Sequence, residues 1–184
     1  MTTDPAAAAA ASAVEEIGLT EALVEEATKK SGLVWVNGQA LWHAWVDGAL
    51  CLVGGPGEQP LPALSDGGTA TVTVRSRDKG GRLVTWPARV SLLDPDSATW
   101  QAAAAELKTK RLNSPDGEAI IARWARECLL FRLTPDGAVT ERPGAMPDSS
   151  GAAAPLPSSA TTRLPAPAGL PRLLARRAKR RTDG

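Results

Sequence analysis

The chain predicts a mainly β fold, a small six-stranded barrel with flanking helices, and three observations carry that reading. Period-2 strand patterns follow one another from Leu33 to Leu93. Asn37-Gly38 and Asp47-Gly48 divide this stretch as tight hairpin turns, because both residues of each pair tolerate positive φ. Helical patterns stand before it and after it, and one further strand pattern closes the run near residue 133.

The first helical region has two candidate starts. Ser12 and Glu15 have capping-box spacing. Thr20 offers a second start, with Glu21, Glu25 and Glu26 early, Lys29 and Lys30 in the last turn, and Gly32 as the exit. Strand one covers Leu33 to Val36, strand two Gln39 to Val46 and strand three Ala49 to Val53. Gly54 to Gly68 is a Gly- and Pro-rich loop. Strand four, Thr69 to Arg75, puts Ala70, Val72 and Val74 on one face. Strand five follows the Asp78-Lys79-Gly80-Gly81 turn, with Val84, Trp86, Ala88, Val90 and Leu92 on one face. Pro87 has no N–H to donate, which predicts an edge strand or a bulge there.

Asp94 or Asp96 is the expected cap of the next helix, whose stripe is Trp100, Ala103, Ala104 and Leu107. Ser114 as cap and Pro115 at the first position predict the start of another, burying Ile120, Ile121 and Trp124. The last strand is expected over Glu127 to Leu133. The expected domain is 13–142, with disordered segments at 1–12 and at 143–184, where Pro, Ala and Ser dominate and too little apolar surface exists to offset ordering.

Charge is unevenly spread. Up to residue 150 there are 14 basic and 19 acidic residues; beyond it there are 7 basic and 1 acidic. A mildly acidic body thus precedes a basic tail, Arg172 to Arg181, through which a nucleic acid, an anionic membrane or the acidic body itself is attracted if the tail has a partner at all. No run reaches the roughly 18 apolar residues of a membrane span, and the Ala6–Ala11 run lacks the cations of a secretory signal. Two distant cysteines, Cys51 and Cys128, read as reduced thiols inside strands, and the chain as cytoplasmic.

Catalytic equipment is sparse. His43 is the single histidine, no CxxC or HxxxH spacing exists, and no metal site is expected. No nucleophile elbow or paired carboxylates present themselves, which excludes the common hydrolase arrangements. Six tryptophans accompany no tyrosine and one phenylalanine. Trp35, Trp42, Trp45 and Trp86 fall on strands, where they serve packing or flank a planar ring. Strand alternation puts Trp42 and His43 on opposite faces, so at most one of them should line a given pocket. Gly54, Gly55 and Gly57 form a loop whose amides are able to cradle a phosphate, although no Gly-Lys-Ser or Gly-Lys-Thr follows. Arg75, Arg77, Lys79 and Arg82 cluster around one hairpin, either as partners for an anion or as a solvated tip.

The order of helix, three-strand meander, Gly-rich loop and long hairpin, with the segments RLVTWPARVSLL (Arg82 to Leu93) and DPDSATWQAAAAELKTKRLN after it, resembles the split-barrel flavin-binding family typified by pyridoxamine 5'-phosphate oxidase. The resemblance covers about residues 20 to 134. It implies a six-stranded split β-barrel, a homodimer, and FMN or the deazaflavin F420 in a cleft between subunits, where hydride passes at the flavin ring. Carried onto this chain, it puts Gly54, Gly55 and Gly57 with Arg75, Arg77 or Lys79 near the cofactor phosphate, and Trp42 or Trp86 near its ring. The family's hydroxyl and Ser-Arg-Lys-like phosphate grip is absent: Val53 to Gln59 stands there, and Glu58 adds a negative charge. A flavin- or F420-dependent oxidoreductase of unspecified substrate is therefore the leading expectation. A cofactor-free binding or scaffold module and a small-barrel nucleic-acid binder stay open beside it.

Overall fold

The structure, a computed structural model, describes residues 5–146 except 78, 79, 113 and 115, with side chains from residue 18 onward. The basic tail, Arg172 to Arg181, lies outside the described residues. The elements are α1 (Pro5–Lys30), β1 (Val34–Val36), β2 (Gln39–Leu41), β3 (Ala44–Val46), β4 (Ala49–Gly54), β5 (Thr69–Arg75), β6 (Arg82–Leu92), α2 (Ala98–Lys110), a short 3-10 turn (Gly117–Ala119), α3 (Ile120–Glu127) and β7 (Leu129–Pro135).

All the strands pair antiparallel in one sheet of order β2-β1-β5-β6-β7-β4-β3. Both hairpin turns form as their residues require, with φ of 49° and 83° at Asn37 and Gly38 and 46° and 75° at Asp47 and Gly48. The two edge strands, β2 and β3, are consecutive in the chain, with only Trp42 and His43 between them. The segment 39–46 therefore leaves one edge of the sheet and joins the other, so the sheet curls into a barrel split at Trp42–His43. What the sequence offers as one strand is a strand in two pieces, and this is how an expected six strands become seven.

Two apolar cores follow from strand alternation. Leu50 and Leu52 of β4 point inward with Val34, Val72, Val84, Trp86, Val90 and Leu133, and Val24 of α1 joins them. Cys51 and Val53 point the other way, onto Trp100, Leu107, Ile120 and Trp124 of α2 and α3. With apolar groups on both faces, β4 is buried at every residue.

Several local expectations are corrected. α1 is one helix through Gly18 rather than two starts, because the cost of a helical glycine, about 1 kcal/mol, does not break a run flanked by good helix formers. Its first residues, Pro5 to Ala11, lie ahead of both proposed starts. Ser97, not Asp94 or Asp96, caps α2 by accepting from the Trp100 N–H at 3.1 Å. Ser114 caps no helix: Gly117 takes φ +52°, which interrupts helical geometry, and α3 begins at Ile120. Cys128 terminates α3 instead of lying in a strand. Pro87 sits neither at an edge strand nor at the bulge, which falls at Val74/Arg75. Its carbonyl accepts from Asp136 N–H at 3.0 Å, but its nitrogen has no proton to return, and the β6–β7 ladder ends at the preceding pair, Ala88 with Pro135.

Candidate functional site

The break in the barrel is sealed by a side chain. At Trp42 the backbone belongs to neither β2 nor β3, and Gln59 takes its place in the ladder. The Trp42 N–H donates to Gln59 Oε1 at 2.9 Å, and Gln59 Nε2 donates to the Trp42 carbonyl at 2.8 Å. An amide side chain thus mimics a paired strand residue and fixes the indole of Trp42 at the split.

His43 is buried beside it. Its Nε2 lies 3.0 Å from the Thr28 carbonyl oxygen of α1. A carbonyl only accepts, so Nε2 carries the proton and Nδ1 holds the lone pair, with no hydrogen-bond partner for it among the described residues. Burial, together with the nearby Lys110 charge, pushes the imidazole pKa down to about 4, against the opposing hydrogen bond to Thr28. His43 is neutral at physiological pH.

Next to the split lies a cavity of about 610 Å³. Trp42 and His43 line it from the split and Trp45 from β3, Lys29 and Lys30 from the end of α1, Glu106 and Lys110 from α2, and Arg77 from the β5–β6 hairpin. Trp42 and His43 share this cavity, against the expectation from alternation, because the pleat does not run through the break. Trp45 is braced from behind by Trp86, edge to face, with centroids 6.2 Å apart. Four cations thus face one acid. Lys29 and Lys30 form exposed ion pairs with Glu25 and Glu26, which hold a lysine only weakly. Arg77 and Lys110 have no carboxylate partner among the described residues.

The Gly-rich loop is elsewhere. Gly54, Gly55 and Gly57 do not line the cavity. Gly54 pairs with Leu129 at the end of β4. At Gly55 a Cβ would meet Cys128 Sγ and the Glu127 carbonyl at 2.9 Å, so glycine permits close backbone packing onto the end of α3. The Pro56 carbonyl accepts from Arg123 Nη1 at 2.6 Å and the Gly57 carbonyl from Arg111 Nη2 at 3.2 Å. Between these guanidinium groups sits Glu58, its side chain fully enclosed, accepting from Arg123 at 2.5 Å, Arg111 at 2.8 Å and the Trp124 indole N–H at 3.0 Å. Burial alone would raise its pKa, but these three donors together hold it below the usual carboxylate range. Arg123 also pairs with Asp116 at 2.7 Å.

Of the residues singled out in the sequence, Trp42, His43, Trp45 and Arg77 come together in the cavity. Arg75 stacks on Trp35 next door, its guanidinium carbon 4.8 Å from the ring centroid. Trp86 is a core residue, 1% exposed, and reaches the cavity only through Trp45. Lys79 lies outside the described residues. Sequence reasoning missed Lys29, Lys30, Lys110 and Gln59 as site residues. Lysines in the last turn of a helix are already accounted for by the helix dipole, and only the folded chain shows two such helix ends meeting. Among the described residues no group of acidic, His and Cys side chains could hold a metal ion, and no helix is long and apolar enough to cross a membrane.

Fold and site define a mainly β split barrel with a basic, indole-lined cavity beside its split. Among solved structures, the chain is similar to HutZ, the heme storage protein from Vibrio cholerae, at 12% identity and a TM-score of 0.45, over 65% of this chain and 92% of that one. No family model matches the sequence. No curated protein matches it either.

Proposed function

We propose that the chain binds a flavin- or deazaflavin-type cofactor, FMN or F420, in the cavity beside the split and serves as an oxidoreductase of the class its sequence resembles. The cavity's lining carries this reading: flat indoles and four cations against one acid, in a volume within the range of about 300–1,000 Å³ usual for ligand pockets. Trp42 and Trp45 would hold the ring, and Arg77, Lys110, Lys29 and Lys30 the phosphate. The acidic end of the cofactor thus belongs at the lysines and Arg77 rather than at Gly54, Gly55 and Gly57, whose neighbouring guanidinium groups are already engaged by Glu58 and Asp116.

A bound flavin or deazaflavin supplies hydride transfer at its ring. The chain's own residues bind and orient: His43 is held neutral and Glu58 is locked between two arginines, so neither is poised as an acid–base group. The exposed side chain of Leu112 lines the cavity and that of Leu33 follows its Gly32, an apolar rim that a second copy would cover, in keeping with a homodimer. Cys51 and Cys128 are both free and buried, which supports a reducing, cytoplasmic setting.

The test is titration of the full chain with FMN and with F420, read by absorbance and melting temperature. A spectral shift with a rise in melting temperature is the expected result, because a ligand bound only by the folded state stabilises it, by about 2.7 kcal/mol at a hundred times Kd. The occupation of the Gly-rich loop by Glu58, Arg111 and Arg123 favours a second reading, a cofactor-free binding module. A colourless protein whose melting temperature ignores both compounds would select it.

A further inference from the structure

The basic cavity continues past Arg77. A second hollow of about 350 Å³ adjoins it, sharing Ser31, Gly32 and Arg77, and is completed by Leu33, Trp35, Arg75, Ser76 and Gly80. The two hollows have different characters. Lysines dominate the first, whereas the second offers the apolar side chain of Leu33 and the indole of Trp35 under the guanidinium of Arg75. A guanidinium on an indole is a flat, stackable surface, suited to one more aromatic plane. A purely anionic tail would gain little from Leu33 and Trp35. A second ring would gain a stacking platform. Arg77 is the cation common to both hollows, at the place where a linker between two rings must pass.

Resting on the cofactor reading above, we infer that the two hollows together take a dinucleotide: one flat ring at Trp42 and Trp45, the linking phosphates at Arg77, and the second base against Trp35 and Arg75. The ligand class is therefore FAD-like rather than a mononucleotide that fills the first hollow alone.

The experiment compares FAD with FMN on the full chain, following flavin fluorescence at fixed salt. FAD is expected to bind at least about fivefold more tightly, the lower end of what stacking one more base contributes. Trp35→Ala should collapse that ratio to about one, and Arg75→Gln should reduce it; melting curves establish that each variant is folded, and Arg75→Gln carries the test if Trp35→Ala is not. Arg77→Gln should weaken both ligands. Equal affinities for FAD and FMN, or an FAD preference that survives both Trp35→Ala and Arg75→Gln, would overturn the dinucleotide assignment and leave the cofactor reading standing. Binding of neither flavin would instead remove the cofactor reading, and this inference with it.

Discussion

Replacing Glu58 by alanine would take the carboxylate acceptor from Arg111 Nε, Arg123 Nη2 and the Trp124 indole N–H. Breaking a buried ion pair from one side costs about 3–5 kcal/mol. Both arginines retain some exposure, 24% and 15% of their side chains, so the lower end, about 3 kcal/mol, is expected in urea denaturation of Glu58→Ala. Because the folded pKa of Glu58 is depressed, its stabilisation is fully present above the unfolded value and is lost as pH falls through the folded one. His43 acts in a higher window with the same sign. Its folded pKa of about 4 lies below the ordinary 6.5, so the unfolded chain binds the proton first. Stability should fall by about 3 kcal/mol between pH 6.5 and pH 4 from this residue alone. As the chain has one histidine, the assignment is direct: denaturation midpoints of His43→Gln should lose that slope, and an unchanged slope would refute the buried neutral imidazole. From the sequence, the burial of His43 was not legible, since a lone histidine between two tryptophans fits either face of a strand. Nor was the role of Glu58, whose partners Arg111 and Arg123 lie 53 and 65 residues away.

The elements were legible wherever a local rule decides them. Alternation located β5 and β6, and the Asn37-Gly38 and Asp47-Gly48 turns adopt the positive φ that those residues allow. Legibility failed where a distant group overrides local pattern. The Gly54 to Gly57 loop looks like an anion cradle in isolation, yet its glycine at 55 serves a close approach to α3. Gly55→Ala should accordingly destabilise the fold by about 1–3 kcal/mol through overpacking and its φ of +150°; a neutral effect would contradict that packing role. Gln59 carries the next step, because nothing in the sequence distinguishes it from any loop glutamine. Its two bonds to the Trp42 backbone span the barrel's split, and Gln59→Ala should cost about 1–2 kcal/mol in denaturation. The same variant should weaken flavin binding, since Trp42 would lose its fixed position. For α2, Ser97→Ala should cost about 1 kcal/mol as a lost cap, while Asp96→Ala, with no helix cap to lose, should cost less.

At the scale of the whole molecule, the barrel was readable because hydrophobic period and turn chemistry agree over sixty residues. The cavity was not, because it is assembled from α1, α2, the split and the β5–β6 hairpin, which meet only in the folded chain. Its charge is spread across those elements, so no short motif announces it. An anion held by four partly solvated cations should bind with strong salt dependence. A calorimetric titration of the full chain with FMN and with riboflavin, the same ring without its phosphate, at low and high salt separates charge from ring in this site. Saturable binding of FMN, weaker binding of riboflavin, and a loss of the difference at high salt are expected. Equal binding of the two compounds at low salt, or no heat from either, would contradict a basic, indole-lined site for a flat anionic ligand.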